Sequence, residues 1–313
     1  MATVARPEGA PSPPAASPPS AKSVRRARHR LVLRRFWQTY RSSKMGIAGL
    51  AILVLFIVVA LFAPVLASRD GLDVTKVTAP ALAPPSWDHP LGTDDLGRSV
   101  LTLVIWGSRI SLLVGLLAAL VSMVVGSALG IIAGYRGGVI DMALMRFTDW
   151  FLVIPWLALA IVLAALLGQS LFIIIMVIGL TSWPWTARLV RSQTLSIRER
   201  PYIERARGLG ASGFKLVGKH VLPNVLPVIL AQTILSIALA ILSESTLSFI
   251  GLGDPLRPSW GAVLANANEA GAPTLGAYWW IGAPGVCIVL VVLAFTMCGT
   301  ALEEILNPRL RAR

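Results

Sequence analysis

Six apolar runs, each long enough to cross a bilayer, leave few folds open to this chain. A transmembrane helix needs about 20 consecutive apolar residues. Such runs lie at 46–67, Ile110–Gly134, Phe147–Leu167, Leu171–Leu189, Val225–Phe249 and Ile281–Ala301. A soluble globule must give much of its surface to water. With 55% hydrophobic and 14% charged residues and a mean hydropathy of +0.73, this chain lacks the polar residues for that. A typical soluble domain is roughly 25% charged. The expectation is an all-α membrane protein with six transmembrane helices. Gly168, Gln169 and Ser170 alone separate the third and fourth runs, which forces an antiparallel hairpin there.

A net charge of +13 invites a nucleic-acid reading, since basic proteins attract polyanions. The positive residues instead cluster between alternate apolar runs, where the preference of cytoplasmic loops for Lys and Arg accounts for them. Only Arg69, Lys76, Arg98, Arg109 and Arg257 of the 28 Lys and Arg fall in the opposite set of segments. Both termini are therefore expected in the cytoplasm, with no nucleic-acid partner. The chain divides into a tail at 1–44 and a six-span domain at 45–313. The tail combines a Pro/Ala/Ser-rich stretch, expected to be disordered, with basic residues from Arg25 to Lys44. The apolar run after it is too long and too late for a signal peptide and reads as a retained anchor. An outer loop at 68–109 carries five aspartates, and a long cytoplasmic loop spans 190–224.

Gly126, Gly130 and Gly134 recur every four residues on the second span. They line one helix face and let a neighbouring backbone approach closely. Trp183, Pro184 and Trp185 are expected to interrupt the fourth span. An ionisable group at membrane depth usually faces a partner or a wet cavity. Glu244, with Ser243, Ser245 and Ser248 beside it, is thus either a group on a translocation pathway, with Ser243 and Ser248, or a carboxylate satisfied by those hydroxyls or by a partner subunit. Asp149 is read as complementing the helix dipole at the start of the third span.

Little supports catalysis. Cys287 and Cys298 are eleven residues apart on one run, about 16 Å along a helix and too far for a disulfide. His29, His89 and His220 are scattered outside the spans, so neither a metal cluster nor a nucleophile–base pair at membrane depth is expected. The chain reads as no enzyme.

The segment Arg198–Asn224, RERPYIERARGLGASGFKLVGKHVLPN, contains G-x-G-x-x-G at Gly208, Gly210 and Gly213. A dinucleotide fingerprint needs a strand before it and an acidic residue about twenty positions later; here a helix-compatible charged stretch precedes it and an apolar run follows. Phe214 and Lys215 after Gly213 also fail the Walker phosphate pattern. Read as a short surface helix, the segment places Ala206, Gly210, Gly213 and Val217 on one small-residue face. Such a face suits a groove on a partner protein, and equally an anionic lipid surface.

Glu204, Ala206, Gly210, Leu222 and Pro223 resemble the E-A-A-x3-G-x9-I-x-L-P loop of ATP-binding-cassette (ABC) import permeases, with Arg205 and His220 departing from it. His89, Gly92, Asp94, Gly97 and Arg98, then Gly107 to Leu112, resemble the outer loop of the C-type subunit of dipeptide, oligopeptide and nickel permeases. Leu247 to Gly253, Pro258 to Gly261 and Asn307 to Leu310 are also similar to it. The resemblance implies a coupling helix between spans four and five that docks on ABC ATPase subunits. It also implies a second homologous permease subunit, an extracytoplasmic substrate-binding protein, and a bacterial plasma membrane location. ATP and Mg would be bound by the partner ATPases, and no cofactor by this chain. An ATP-independent channel or secondary transporter is the alternative, and it leaves the loop pattern unexplained.

Overall fold

A computed structural model describes residues 36–306 together with Leu31 and Arg34. The Pro/Ala/Ser-rich part of the tail and the ending Asn307–Leu310 lie outside the described residues. The described chain is helical, and its one β-bridge pairs Thr93 with Ser99. Helix α1 runs Lys44–Leu66, α2 Val100–Arg136, α3 Gly138–Val153, α4 Trp156–Leu167 and α5 Leu171–Arg198. After them come α6 (Pro201–Gly208), α7 (Gly213–Leu216), α8 (Leu222–Leu247), α9 (Trp260–Glu269) and α10 (Tyr278–Leu306). A π-helical turn at Val217–Val221 joins α7 to α8. Five helical stretches are long and apolar enough to cross a membrane, and the bent pair α3–α4 makes a sixth if counted as one span.

Small residues decide how these helices pack. On α1, Ser43 caps the first turn by accepting the Gly46 N–H at 3.1 Å. Gly46 and Gly49 then lie against α10, where a Cβ on Gly49 would fall 2.8 Å from the Ala294 carbonyl oxygen. The glycine stripe of α2 faces α5. A Cβ on Gly126 would meet the Trp183 carbonyl at 2.7 Å, one on Gly130 the Ala187 carbonyl at 2.6 Å, and one on Gly134 the Arg191 carbonyl at 2.9 Å. With no large side chains between them, the two backbones touch along three turns. The central core draws on α1, α2, α4, α5, α8, α9 and α10, and Phe56 meets Trp260 edge-to-face at 5.6 Å.

Three expectations need correction. The run Phe147–Leu167 is not one straight span: α3 and α4 meet at 85°. Pro155 lacks an N–H and biases the residue before it away from helix; Ile154 is extended, at φ −75°, ψ 127°. The Trp183-Pro184-Trp185 stretch does not interrupt α5, which continues through Pro184 to Arg198. Asp149 is not at a helix start but in the second half of α3, where it accepts from Arg188 Nη2 at 2.6 Å. A second cross-link joins the same two helices through Asp141 and Arg191.

Candidate functional site

The loop after α5 is held to the body by alternate apolar residues and leaves others bare. Pro201 opens α6 at a position where its missing N–H is no loss. The helix ends where Gly210 adopts φ +85°. The Ala211 N–H returns to the Ala206 carbonyl at 3.1 Å and the Gly210 N–H to Arg207 at 2.9 Å, closing the last turn in the way that requires a left-handed residue. A Cβ on Gly210 would touch nothing within 4 Å; its dihedral angle is what calls for glycine.

The helix breaks here, so Ala206, Gly210, Gly213 and Val217 do not share one continuous helix face. Ser212 caps α7 through the Lys215 N–H. Gly213 then sits beneath Tyr135 at the end of α2, whose ring carbon is 3.3 Å from where a Cβ would be. Gly208, Gly210 and Gly213 follow helix rather than strand, so the context of a dinucleotide fingerprint is missing.

Ile203, Leu216 and Val221 are fully or almost fully buried, and Val221 packs with Val190, Ile197 and Val225. Leu209 and Phe214, by contrast, are 89% and 92% exposed. Glu204 is exposed and makes no ion pair among the described residues, Ala206 is half-buried, and Leu222 and Pro223 are exposed at the start of α8. Sequence periodicity marked the small residues of this loop and missed the two bare apolar ones.

At the opposite end of α2 the outer-loop residues form a tight polar knot. Asp94 is fully buried and accepts from the N–H groups of Leu96 (3.0 Å) and Arg98 (2.7 Å) and from Arg98 Nε (2.7 Å). Thr93, also buried, donates to the Pro80 carbonyl at 2.7 Å, and its own carbonyl accepts from Trp279 Nε1 at 3.2 Å. Gly92 and Gly97 take φ +66° and +79°. The backbone of His89 closes a turn with Ser86 and Gly92. Burial raises the pKa of the neighbouring Asp95, and the Asp94 charge raises it further. The knot thus ties the loop to the start of α10.

Glu244 on α8 is 1% exposed. Its carboxylate accepts from Ser248 Oγ at 2.7 Å, from Ser111 Oγ on α2 at 3.1 Å and from Ser245 Oγ at 3.5 Å. Ser111 in turn accepts from the Trp260 N–H at 3.1 Å, so three helices converge on one carboxylate. Ser243 turns away and donates to its own helix at Leu239. As a pathway group, Glu244 would reach solute only if α2 and α8 parted.

The family model described as binding-protein-dependent transport system inner membrane component matches residues 126–312, more than half of the chain. The chain belongs to this family. A second model, the N-terminal TM domain of oligopeptide transport permease C, matches residues 32–85 of the permease. The permease is 39% identical over 278 residues to the dipeptide transport system permease protein DppC of Bacillus subtilis (strain 168), covering 88% of this chain and 85% of that one. It is 36% identical over 274 residues to the oligopeptide transport system permease protein OppC of the same organism, covering 87% and 88%. To the probable D,D-dipeptide transport system permease protein DdpC of Escherichia coli (strain K12) it is 37% identical over 273 residues, covering 86% and 89%. It is a multi-pass membrane permease subunit of an ABC importer.

Proposed function

We propose that this permease carries peptides, dipeptides or short oligopeptides, into a bacterial cell, and that it works beside a second, homologous permease subunit. ATP and Mg are bound by partner ATPase subunits beneath it, and an extracytoplasmic binding protein delivers the solute to the outer loop. Both termini face the cytoplasm, as the distribution of Lys and Arg favours. The observation that carries this reading is the pair of bare apolar side chains, Leu209 and Phe214, on a loop otherwise anchored by Ile203, Leu216 and Val221. Exposed apolar groups on a rigid polar loop suit a protein partner, and Glu204, Ala206, Gly210, Leu222 and Pro223 frame that contact. ATP binding below would shift the populations of two gate states through the docked loop. Peptides are supported as solute by the relatives named above.

The test is uptake of a labelled dipeptide by proteoliposomes containing the assembled importer and its binding protein. Uptake should require ATP inside and the binding protein outside. Uptake that proceeds without ATP would overturn this reading and leave a channel or secondary transporter in its place.

A further inference from the structure

At the outer end of the bundle, α1, α2 and the loop between α8 and α9 enclose an open cavity of about 1150 Å³. Its upper rim is charged and its lower wall is greasy, and the way the charges are matched is informative. Asp70 is paired with Lys76, and Asp254 with Arg257 at 3.9 Å. Asp73 accepts from the Thr75 backbone and hydroxyl at 3.0 and 2.7 Å, and Arg98 is held by Asp94. Among the described residues lining the cavity, Asp73 is left without a cation, and two cations are left without a carboxylate. The guanidiniums of Arg69 and Arg109 lie over the Trp106 indole, 5.9 and 5.3 Å from its centre. The indole N–H donates to the Ala67 carbonyl at 3.1 Å, which fixes the end of α1 against α2 and holds Trp106 in place.

Below this pair the cavity wall is Ile57 and Leu61 on α1 and Leu113 and Leu116 on α2. All four are at least 40% exposed. At 1.5 Å per residue, Leu61 and Ile57 lie about 8 and 14 Å before the end of α1. By the same rise, Leu113 and Leu116 lie about 6 and 10 Å along α2 beyond Arg109. Two cations and an aromatic ring thus stand at the polar end of an apolar groove that runs along α1 and α2, the end expected to meet the headgroups of a bilayer. Arginine binds phosphate through paired N–H groups, and tryptophan favours the headgroup level. A zwitterionic solute would also need a carboxylate for its ammonium group; Asp70 and Asp254 already face cations, and Asp73, held by Thr75, is the one carboxylate among the described lining residues without a cation.

We infer that this cavity binds an anionic phospholipid of the outer leaflet, with its phosphate held by Arg69 and Arg109 over Trp106 and an acyl chain lying along Ile57, Leu61, Leu113 and Leu116. The leaflet assignment rests on the sidedness proposed above; the lipid contact does not. A lipid there wedges α1 against α2 at the end nearest the polar knot, where the binding protein is proposed to land.

The purified, delipidated importer assembly, titrated by native mass spectrometry, tests the site with phosphatidylglycerol and phosphatidylcholine of the same acyl chains. Both lipids offer a phosphate, but the choline cation of phosphatidylcholine is repelled by Arg69 and Arg109, so the wild-type assembly should prefer phosphatidylglycerol by about tenfold. The double variant Arg69→Gln/Arg109→Gln should lose that preference, while Arg69→Lys/Arg109→Lys keeps part of it. Equal binding of the two lipids by the wild type would overturn the inference, as would a preference unchanged in the Gln variant. Displacement by inorganic phosphate alone would identify a free-anion site, and displacement by a dipeptide a solute site; either result also overturns it. Sidedness is read separately by labelling Trp87→Cys on intact cells with an impermeant maleimide, the parent chain serving as control. Labelling only after lysis would remove the outer-leaflet assignment whatever the titration gives.

Discussion

Ser111 on α2 donates its hydroxyl to Glu244 on α8 at 3.1 Å and accepts the Trp260 N–H of α9 at the same distance. One hydroxyl therefore relays between a buried carboxylate and the first turn of another helix. Replacing Glu244 by Leu leaves the donors Ser111 and Ser248 without their acceptor, at a cost of about 1–3 kcal/mol. Glu244→Gln keeps an acceptor and should stay within about 1 kcal/mol of the wild type. Thermal unfolding of the detergent-solubilised assembly measures both. Uptake by the well-assembled Gln variant then reports on the pathway role of Glu244: full transport would leave it as a fastening group alone.

The turn at Gly210 offers a graded test of the loop between α5 and α8. A residue with a Cβ held in the left-handed region costs roughly 1–2 kcal/mol, and asparagine less. Gly210→Val should therefore open the turn and lower dipeptide uptake per ATP hydrolysed, while Gly210→Asn keeps most of it. Because a side chain at this position points into open space, loss of coupling in the Asn variant equal to that in Val would show that the dihedral angle is not what matters.

If Leu209 and Phe214 seat against the ATPase, burying a charge in place of either should weaken the assembly. Truncating one central apolar anchor of an interface costs about 2 kcal/mol or more, which is more than tenfold in affinity. Leu209→Asp and Phe214→Asp should each reduce the ATPase recovered with the affinity-purified permease, and Glu204→Lys should uncouple hydrolysis from uptake. Unchanged recovery with both Asp variants would point to another docking surface.

Two carboxylates on α3 are matched to two arginines one turn apart on α5, Asp141 with Arg191 and Asp149 with Arg188. The first pair is the more enclosed, at 15% and 33% side-chain exposure against 40% and 48%. Breaking the first by Arg191→Gln should cost more, about 1–3 kcal/mol, and breaking the second less than about 1 kcal/mol. The swap Asp141→Arg/Arg191→Asp should recover part of the loss in the unfolding temperature.

The outer knot carries a pH signature through Asp95. Burial first, and the Asp94 charge second, raise its pKa, so the folded state favours the protonated carboxyl. Wild-type stability from this group therefore grows as pH falls through the raised midpoint towards that of the unfolded chain, and is absent at neutral pH. Asp95→Asn should raise the unfolding temperature at pH 7, with the gain shrinking as the pH falls below the raised midpoint and gone below that of the unfolded chain. A gain that persists in acid would assign the effect to something other than charge.

Much of this architecture could be read from residues alone, because crossing a bilayer demands long apolar runs and close helix contact demands small side chains. The stripe Gly126, Gly130, Gly134 is an example, and α5 lies against it. The right-angle bend at Pro155 escaped notice because the run from Phe147 to Leu167 is apolar throughout, and hydropathy does not register a missing N–H. At Pro184 the opposite error arose: a proline within a helix packed along α2 is carried without a break. Helix α9 is too short to stand out as a span, and the first ten residues of α2 are mixed in character, so its start was placed late. The partners of Glu244 were half legible. Ser245 and Ser248 are close in sequence, whereas Ser111 is 133 positions away and only the fold unites them. The exposure of Leu209 and Phe214 goes with a break in the helix at Gly210 that no periodicity reveals.

Helix α2 is 37 residues long without a break, about 55 Å at 1.5 Å per residue against a hydrocarbon core of about 30 Å. Tyr135 at its C-terminal tip rests on Gly213, and Ser99 at its N-terminal tip joins the bridge to Thr93. A stiff lever of that length turns a tilt of about 5° into roughly 5 Å of travel at the far tip. Under the coupling proposed above, a small tilt of this one helix would carry a movement at the Gly213 loop to the Thr93 knot.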